Sequence, residues 1–136
     1  MIKLMKHHSA KKGQPPGSLI HIGERKAEKV KITLFEYNGQ EYREEELPDF
    51  GSFSPEQKSG CVTWINIDGL HDVDLLEKIG SLFNLHPLVM EDILNTGQRP
   101  KSEEYKDYYY IVLKMLYLEG DQKEIMGEQV SLILGD

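Results

Sequence analysis

Apolar and polar residues alternate along residues 30–37, where every second side chain of the first half is apolar. A period of two is typical of a β-strand with one buried face. The pair Asn38-Gly39 favours a two-residue turn, and residues 41–47, which follow, are rich in glutamate. Because a row of charges discourages pairing with another chain, we predict a β-hairpin whose second strand lies at the edge of a sheet.

The period changes to about 3.6 residues after position 71, which indicates helix. Residues 72–83 place apolar side chains on one arc and polar side chains opposite, so we predict an amphipathic helix there. Pro87 suits the first position of a second, shorter helix over residues 87–94, because its missing N–H has no intrahelical partner at that position. The apolar arc of this second helix consists of Val89, Met90, Ile93 and Leu94.

Three further segments have strand patterns. Residues 62–68 resume the alternation, and residues 108–118 are apolar on both alternating faces, as in a central strand covered on both sides. Residues 128–134 alternate again, so we predict a second hairpin after a loop at 119–127. Strands that alternate with and flank helices indicate an α/β fold. We expect a mixed parallel and antiparallel sheet covered by helices on both faces, a three-layer α/β/α arrangement that is incomplete at the C-terminus.

The two ends of the chain differ from its middle. The first 18 residues are polar and basic and contain Pro15-Pro16, which favours extended backbone over a packed element. We expect residues 1–18 to form a flexible N-terminal arm and residues 19–136 to form one α/β domain. The last residues, 134–136, follow an apolar strand at an unfinished turn, so we expect the chain to be a truncated fragment of a longer protein.

Composition narrows the class of ligand. The formal net charge is -7, which argues against nucleic acid and makes cations the more natural ligands. The only cysteine, Cys61, excludes an intrachain disulfide and any multi-cysteine zinc site, as is usual in the cytosol. The longest apolar run, residues 108–118, is shorter than the roughly 20 residues of a membrane-spanning helix and contains Lys114.

Glu91 and Asp92 are the candidate ligands. Both lie on the predicted Pro87 helix, opposite its apolar arc and beside Leu88. Because neighbouring helical residues diverge by about 100°, the two carboxylates cannot easily converge on one ion, and each needs its own partner. The residue pattern alone leaves four interpretations open: a solvated helix face, oxygen ligands for Mg²⁺, a metal-dependent hydrolase that uses the acidic pair, and a structural interaction module centred on the exposed Leu88.

No catalytic residue is predicted, because the phosphate-binding, dinucleotide-binding, nucleophile-elbow and zinc-protease motifs are all missing from the sequence. At the Pro87 helix the chain instead resembles the CorA family of magnesium and cobalt transport proteins. The matching segments lie in the same order and at similar spacing over most of residues 9–134. They are Lys11-Lys12-Gly13 with Pro15-Pro16-Gly17, Trp64-Ile65-Asn66, His86 to Leu94, Gln98-Arg99-Pro100-Lys101, Tyr110 to Met115, and Glu128 to Leu132.

The resemblance implies a homopentameric channel in the cell membrane, with this fragment on the cytoplasmic side. It implies that Mg²⁺, with Co²⁺ as an alternative ion, binds between neighbouring subunits and favours the closed state. Asp92 and Glu91 are then the expected regulatory metal ligands, each facing an acidic residue of an adjacent subunit. The stalk helix, the membrane helices and the pore loop of that family are missing from this sequence. The chain is therefore expected to be a regulatory domain and not an enzyme.

Overall fold

The computed structural model describes residue 13 and residues 15–22, 29–53, 60–120 and 124–135. Only Gly13 and residues 15–18 of the predicted arm are among them, so that prediction falls largely outside the described residues. The elements are β1 (Lys31–Tyr37), β2 (Tyr42–Leu47), a short 3-10 helix (Phe50–Ser52), β3 (Val62–Asp68), α1 (Val73–Leu82), α2 (Pro87–Leu94), β4 (Lys101–Glu104), β5 (Tyr108–Glu119) and β6 (Glu124–Gly135). The chain divides into two compact units, Glu24–Ile79 and Met1–Gly23 with Gly80–Asp136, and the boundary between Ile79 and Gly80 lies within the sequence of α1.

The unit formed by Glu24–Ile79 contains an antiparallel sheet with the strand order β2-β1-β3. The predicted hairpin is confirmed, and the glutamate-rich β2 is an edge strand. Its turn is centred on Gly39 and Gln40, one residue later than expected. The Asn38 side chain explains the shift, because its amide oxygen accepts hydrogen bonds from the backbone N–H groups of Gln40 (2.8 Å) and Glu41 (2.9 Å).

The other unit contains α2 and an antiparallel sheet with the order β4-β5-β6. The second predicted hairpin is confirmed, with Tyr108 paired to Gly135 at one end and Glu119 to Glu124 at the other. The short strand β4 was not expected. Its four residues, Lys-Ser-Glu-Glu, have no apolar alternation, and they are extended because they pair with residues 109–112 of β5.

The expected three-layer α/β/α arrangement with a mixed sheet is wrong. Both sheets are antiparallel, and the described residues form only two α-helices. The error comes from β5, whose apolar residues on both faces were expected to lie beneath helices. Tyr110 and Val112 on one face are buried, whereas Tyr109 and Leu113 on the other are 48% and 44% exposed. A strand sequence that is apolar on both faces therefore does not by itself require cover on both faces.

Both predicted helices are confirmed. Asp72 caps α1, since its side-chain oxygen accepts a hydrogen bond from the backbone N–H of Leu75 at 3.0 Å. His86 caps α2, where its Nδ1 accepts from the backbone N–H of Leu88 at 3.2 Å. The four residues of the predicted apolar arc of α2 are buried. Within the described part of the chain, neither helix has the length and hydropathy needed to cross a lipid bilayer.

Candidate cation-binding site on helix α2

The two acids of α2 contact different parts of the chain. A carboxylate oxygen of Glu91 accepts a hydrogen bond from the backbone N–H of Gly17 at 2.6 Å. Asp92 accepts from the side-chain amide of Gln98 at 2.8 Å and from the Lys101 ammonium at 2.6 Å. Both acids are half-buried. The structure therefore does not bring them together as a chelating pair, in agreement with their separation around the helix.

Lys101 joins Asp92 to a third carboxylate. Its Nζ lies 2.6 Å from Oδ2 of Asp92 and 2.8 Å from Oε1 of Glu103, and 5.4 Å from the ring centroid of Tyr110. The Lys101 and Asp92 side chains are 27% and 25% exposed. Burial lowers the pKa of Lys101, but the hydrogen bonds to the two carboxylates outweigh it, so that the pKa is raised above its usual value. The same contact lowers the pKa of Glu103.

The loop between α2 and β4 places Gln98 and Lys101 beside Asp92. Gln129 on β6 holds this loop, since its side chain accepts from the backbone N–H of Gln98 at 3.1 Å and donates to the carbonyl of Asn95 at 3.1 Å. Lys114 on β5 donates to the carbonyl of Thr96 at 2.9 Å. These side chains satisfy backbone groups of the loop that follows the helix. The sheet therefore fixes the position of the acid on α2.

Sequence reasoning found the two acids but missed their neighbours. The segment Gln98 to Lys101 contributed to the family resemblance without being assigned a role. A signal for the other two polar anchors was present, because Lys114 and Gln129 interrupt apolar strands and pair directly across the predicted hairpin. Two polar residues at paired inward positions indicate a shared buried partner, which here is the α2–β4 loop.

The capacity of this site for a cation depends on its oxygen atoms. Carboxylates suit Mg²⁺, which prefers oxygen ligands and retains several of its waters. A cationic group, the Lys101 ammonium, already lies between the Asp92 and Glu103 carboxylates, so the charge of this site fits a cation. Among the described residues, however, no group of three or more His, Cys, Asp or Glu side chains is arranged to hold a metal ion. In this part of the chain Asp92 can supply only some of the ligands of a complete metal site.

Comparison with known proteins places the chain in a family of metal-ion transport proteins. Residues 59–136 match the family model described as CorA-like Mg²⁺ transporter protein. The chain is also 46% identical over 129 residues to the cobalt/magnesium transport protein CorA of Thermotoga maritima. It therefore belongs to the CorA-like Mg²⁺ transporter family, as the resemblance indicated. The alignment covers 95% of this chain and 36% of that relative, so the chain spans about a third of the relative's length.

Proposed function

We propose that this chain is the cytoplasmic regulatory region of a CorA-type Mg²⁺/Co²⁺ transport channel, in which Mg²⁺ bound between subunits favours the closed state. Family membership supports the transport part of this proposal. The main support for the regulatory part is the Asp92 carboxylate, which is partly exposed on α2 and already interacts with a cationic group. Since this chain supplies no complete metal cluster in its described residues, a neighbouring subunit provides the remaining oxygen ligands.

The proposed coupling is electrostatic. The chain carries a formal net charge of -7, so copies of it repel each other when their acidic surfaces approach. A hydrated Mg²⁺ between Asp92 and an acidic group of the adjacent subunit supplies positive charge at that boundary. When internal Mg²⁺ is scarce, the repulsion returns and the subunits loosen. The channel, a homopentamer in the cell membrane, thereby responds to the ion that it transports.

Glu91 is the second regulatory ligand of the proposal. Its position about 100° from Asp92 around α2 directs it to a separate site. Its carboxylate also holds the Pro15–Gly17 segment through the backbone N–H of Gly17. Cation binding at Glu91 therefore competes with an existing contact, just as it does at Asp92.

The other interpretations of the acidic pair have less support. A metal-dependent hydrolase needs carboxylates that converge on one ion, and Glu91 and Asp92 contact different partners. A structural interaction module would use Leu88, which is 47% exposed on α2. That alternative predicts subunit association that does not depend on Mg²⁺.

The proposal is tested by Asp92→Asn in the complete transporter, reconstituted in liposomes. Asparagine keeps the shape of the side chain but removes its charge. We expect the internal Mg²⁺ concentration for half-maximal closure to rise about tenfold, in line with typical coupling between sites. The matched control is Asp74→Asn, since Asp74 is an exposed acid in the first turn of α1. If Asp92→Asn closes at the wild-type Mg²⁺ concentration, the regulatory role of Asp92 is wrong.

A further inference from the structure

The contacts of Lys101 are unusual for a surface lysine. Its ammonium is shared between two carboxylates, at 2.6 Å from Asp92 and 2.8 Å from Glu103, above the ring of Tyr110. By contrast, the partners in the Lys31–Glu46 ion pair are 53% and 64% exposed. An ammonium ion in a partly buried position interacts more strongly with a carboxylate than one in open water. The interaction of Lys101 with the Asp92 carboxylate is therefore stronger than that of a fully exposed lysine would be.

We infer that Lys101 is a tethered competitor of Mg²⁺ for the Asp92 carboxylate, and that it sets the Mg²⁺ concentration at which this site fills. The inference rests on the proposed function and adds a determinant of its affinity. A cation can coordinate the Oδ2 atom of Asp92 only after the Lys101 ammonium has moved away from it. The apparent Mg²⁺ affinity is therefore reduced by the strength of the Lys101–Asp92 contact.

Glu103 makes this displacement possible. A charged group left without a partner in a partly buried site costs free energy. When Lys101 releases Asp92, it keeps its hydrogen bond to Glu103, so the ammonium stays paired. The backbone of Lys101 need not move, because its residue pairs with Val112 in the β4–β5 ladder. Only the flexible end of the side chain has to swing from two carboxylates to one.

The geometry predicts opposite effects on Mg²⁺ binding for removing the charge of Lys101 and for removing the charge of Glu103. Removing the ammonium leaves Asp92 open to Mg²⁺ and strengthens Mg²⁺ binding. Removing the Glu103 charge leaves Lys101 with Asp92 as its only carboxylate and weakens Mg²⁺ binding. If Lys101 and Glu103 only maintained the fold, loss of either charge would shift the Mg²⁺ concentration needed for closure in the same direction.

The test compares four variants of the complete transporter in liposomes by the internal Mg²⁺ concentration at half-maximal closure. Lys101→Met keeps the aliphatic stem over Tyr110 and removes the charge. We expect it to lower this concentration about threefold to fivefold, the effect of losing one partly exposed ion pair. Glu103→Gln is expected to raise the concentration about twofold. Lys101→Arg keeps the charge and stays near wild type, and Lys31→Met serves as the control for loss of a surface ion pair.

The outcomes separate this inference from the proposed function. If Asp92→Asn shifts closure while Lys101→Met leaves it unchanged or raises the required Mg²⁺ concentration, the role of Lys101 is overturned and that of Asp92 stands. If Asp92→Asn itself has no effect, the proposed function fails whatever Lys101→Met does. Should Lys101→Met not fold, as judged by its circular dichroism, Glu103→Gln decides the question, and an unchanged or lowered Mg²⁺ requirement in that variant contradicts the inference.

Discussion

At the scale of single residues, Tyr110 shows how strongly burial within the β4–β5–β6 unit changes the pKa of a side chain. It is fully buried. Burial raises the pKa of its hydroxyl to about 12, from an ordinary value of 10.0. The ring at the same time lies beneath the ammonium of Lys101, 5.4 Å from its centroid. Tyr110 is thus a part of the core that also forms the floor of the candidate site.

The raised pKa of Tyr110 predicts a specific loss of stability in alkali. Between about pH 10 and pH 12 the unfolded chain releases the phenol proton while the folded chain keeps it. The free energy of unfolding therefore falls as the pH rises through this window, and the contribution of Tyr110 is fully present only below it. In Tyr110→Phe this part of the decline disappears. Urea unfolding followed by circular dichroism across the window measures the difference.

The matched control for that measurement is Tyr109→Phe, because Tyr109 is 48% exposed on the other face of β5. This variant should lose stability in alkali as the wild type does. Parallel curves of unfolding free energy against pH for the wild type and Tyr110→Phe would show that the buried hydroxyl does not titrate as expected.

At the scale of secondary-structure elements, α2 has two separate tasks. One face packs into its unit through four buried side chains, and the other carries Glu91 and Asp92. The end of the helix is tied to the N-terminal segment, because the backbone N–H of Ile22 donates to the carbonyl of Leu94 at 2.9 Å. A helix of eight residues is too short to be stable alone. The buried face therefore holds the acids in position.

Truncation of one leucine on each face of α2 tests this division. Leu94 is fully buried, and we expect Leu94→Ala to lower the free energy of unfolding by about 2–5 kcal/mol through lost burial and the cavity that remains. Leu88→Ala on the same helix removes a side chain that is 47% exposed, and its effect is expected to stay within about 0.5 kcal/mol. Urea unfolding compares the two. Similar losses for both variants would mean that α2 does not pack through this face.

At the scale of the whole molecule, the described residues include no group of three or more His, Cys, Asp or Glu side chains that could hold a metal ion. Each acid is also engaged with a donor of the same chain. In the proposed site, a cation competes with these donors and takes its further ligands from water and from an adjacent subunit. The proposal therefore predicts different Mg²⁺ affinities for the isolated chain and for the assembled transporter.

The isolated chain is accordingly expected to bind Mg²⁺ weakly, with a dissociation constant on the order of a millimolar or larger. Isothermal titration calorimetry of the 136-residue chain with Mg²⁺ measures this value. Asp92→Asn should change the weak isotherm little, since one carboxylate contributes only part of the shell. A tight isotherm that depends on Asp92 would show that the chain completes a metal site alone and would contradict an intersubunit site.

The local elements of this protein could be predicted because their signals are local. The Pro87 helix has a cap, a proline at its first position and an apolar arc within eight residues, and both hairpins follow from alternation on either side of a turn. β4 could not be predicted, because its extended backbone depends on pairing with β5. The sequence could not show which face of β5 is buried either, since both faces of the strand carry apolar residues.

The sequence by itself determined the family, the two helices and both hairpins. It also determined that Asp92 and Glu91 lie on the side of α2 that faces away from its buried residues. Matching segments along the chain identify the family, whereas periodicity and caps decide the helices, the hairpins and the positions of the acids within a few residues of chain. Only the tertiary structure decided which groups contact the two acids. Glu91 contacts a backbone group 74 positions away, and Asp92 reaches Lys101 only because β4 pairs with β5. Such contacts depend on strand pairing and loop anchoring, which bring together residues that no local pattern connects.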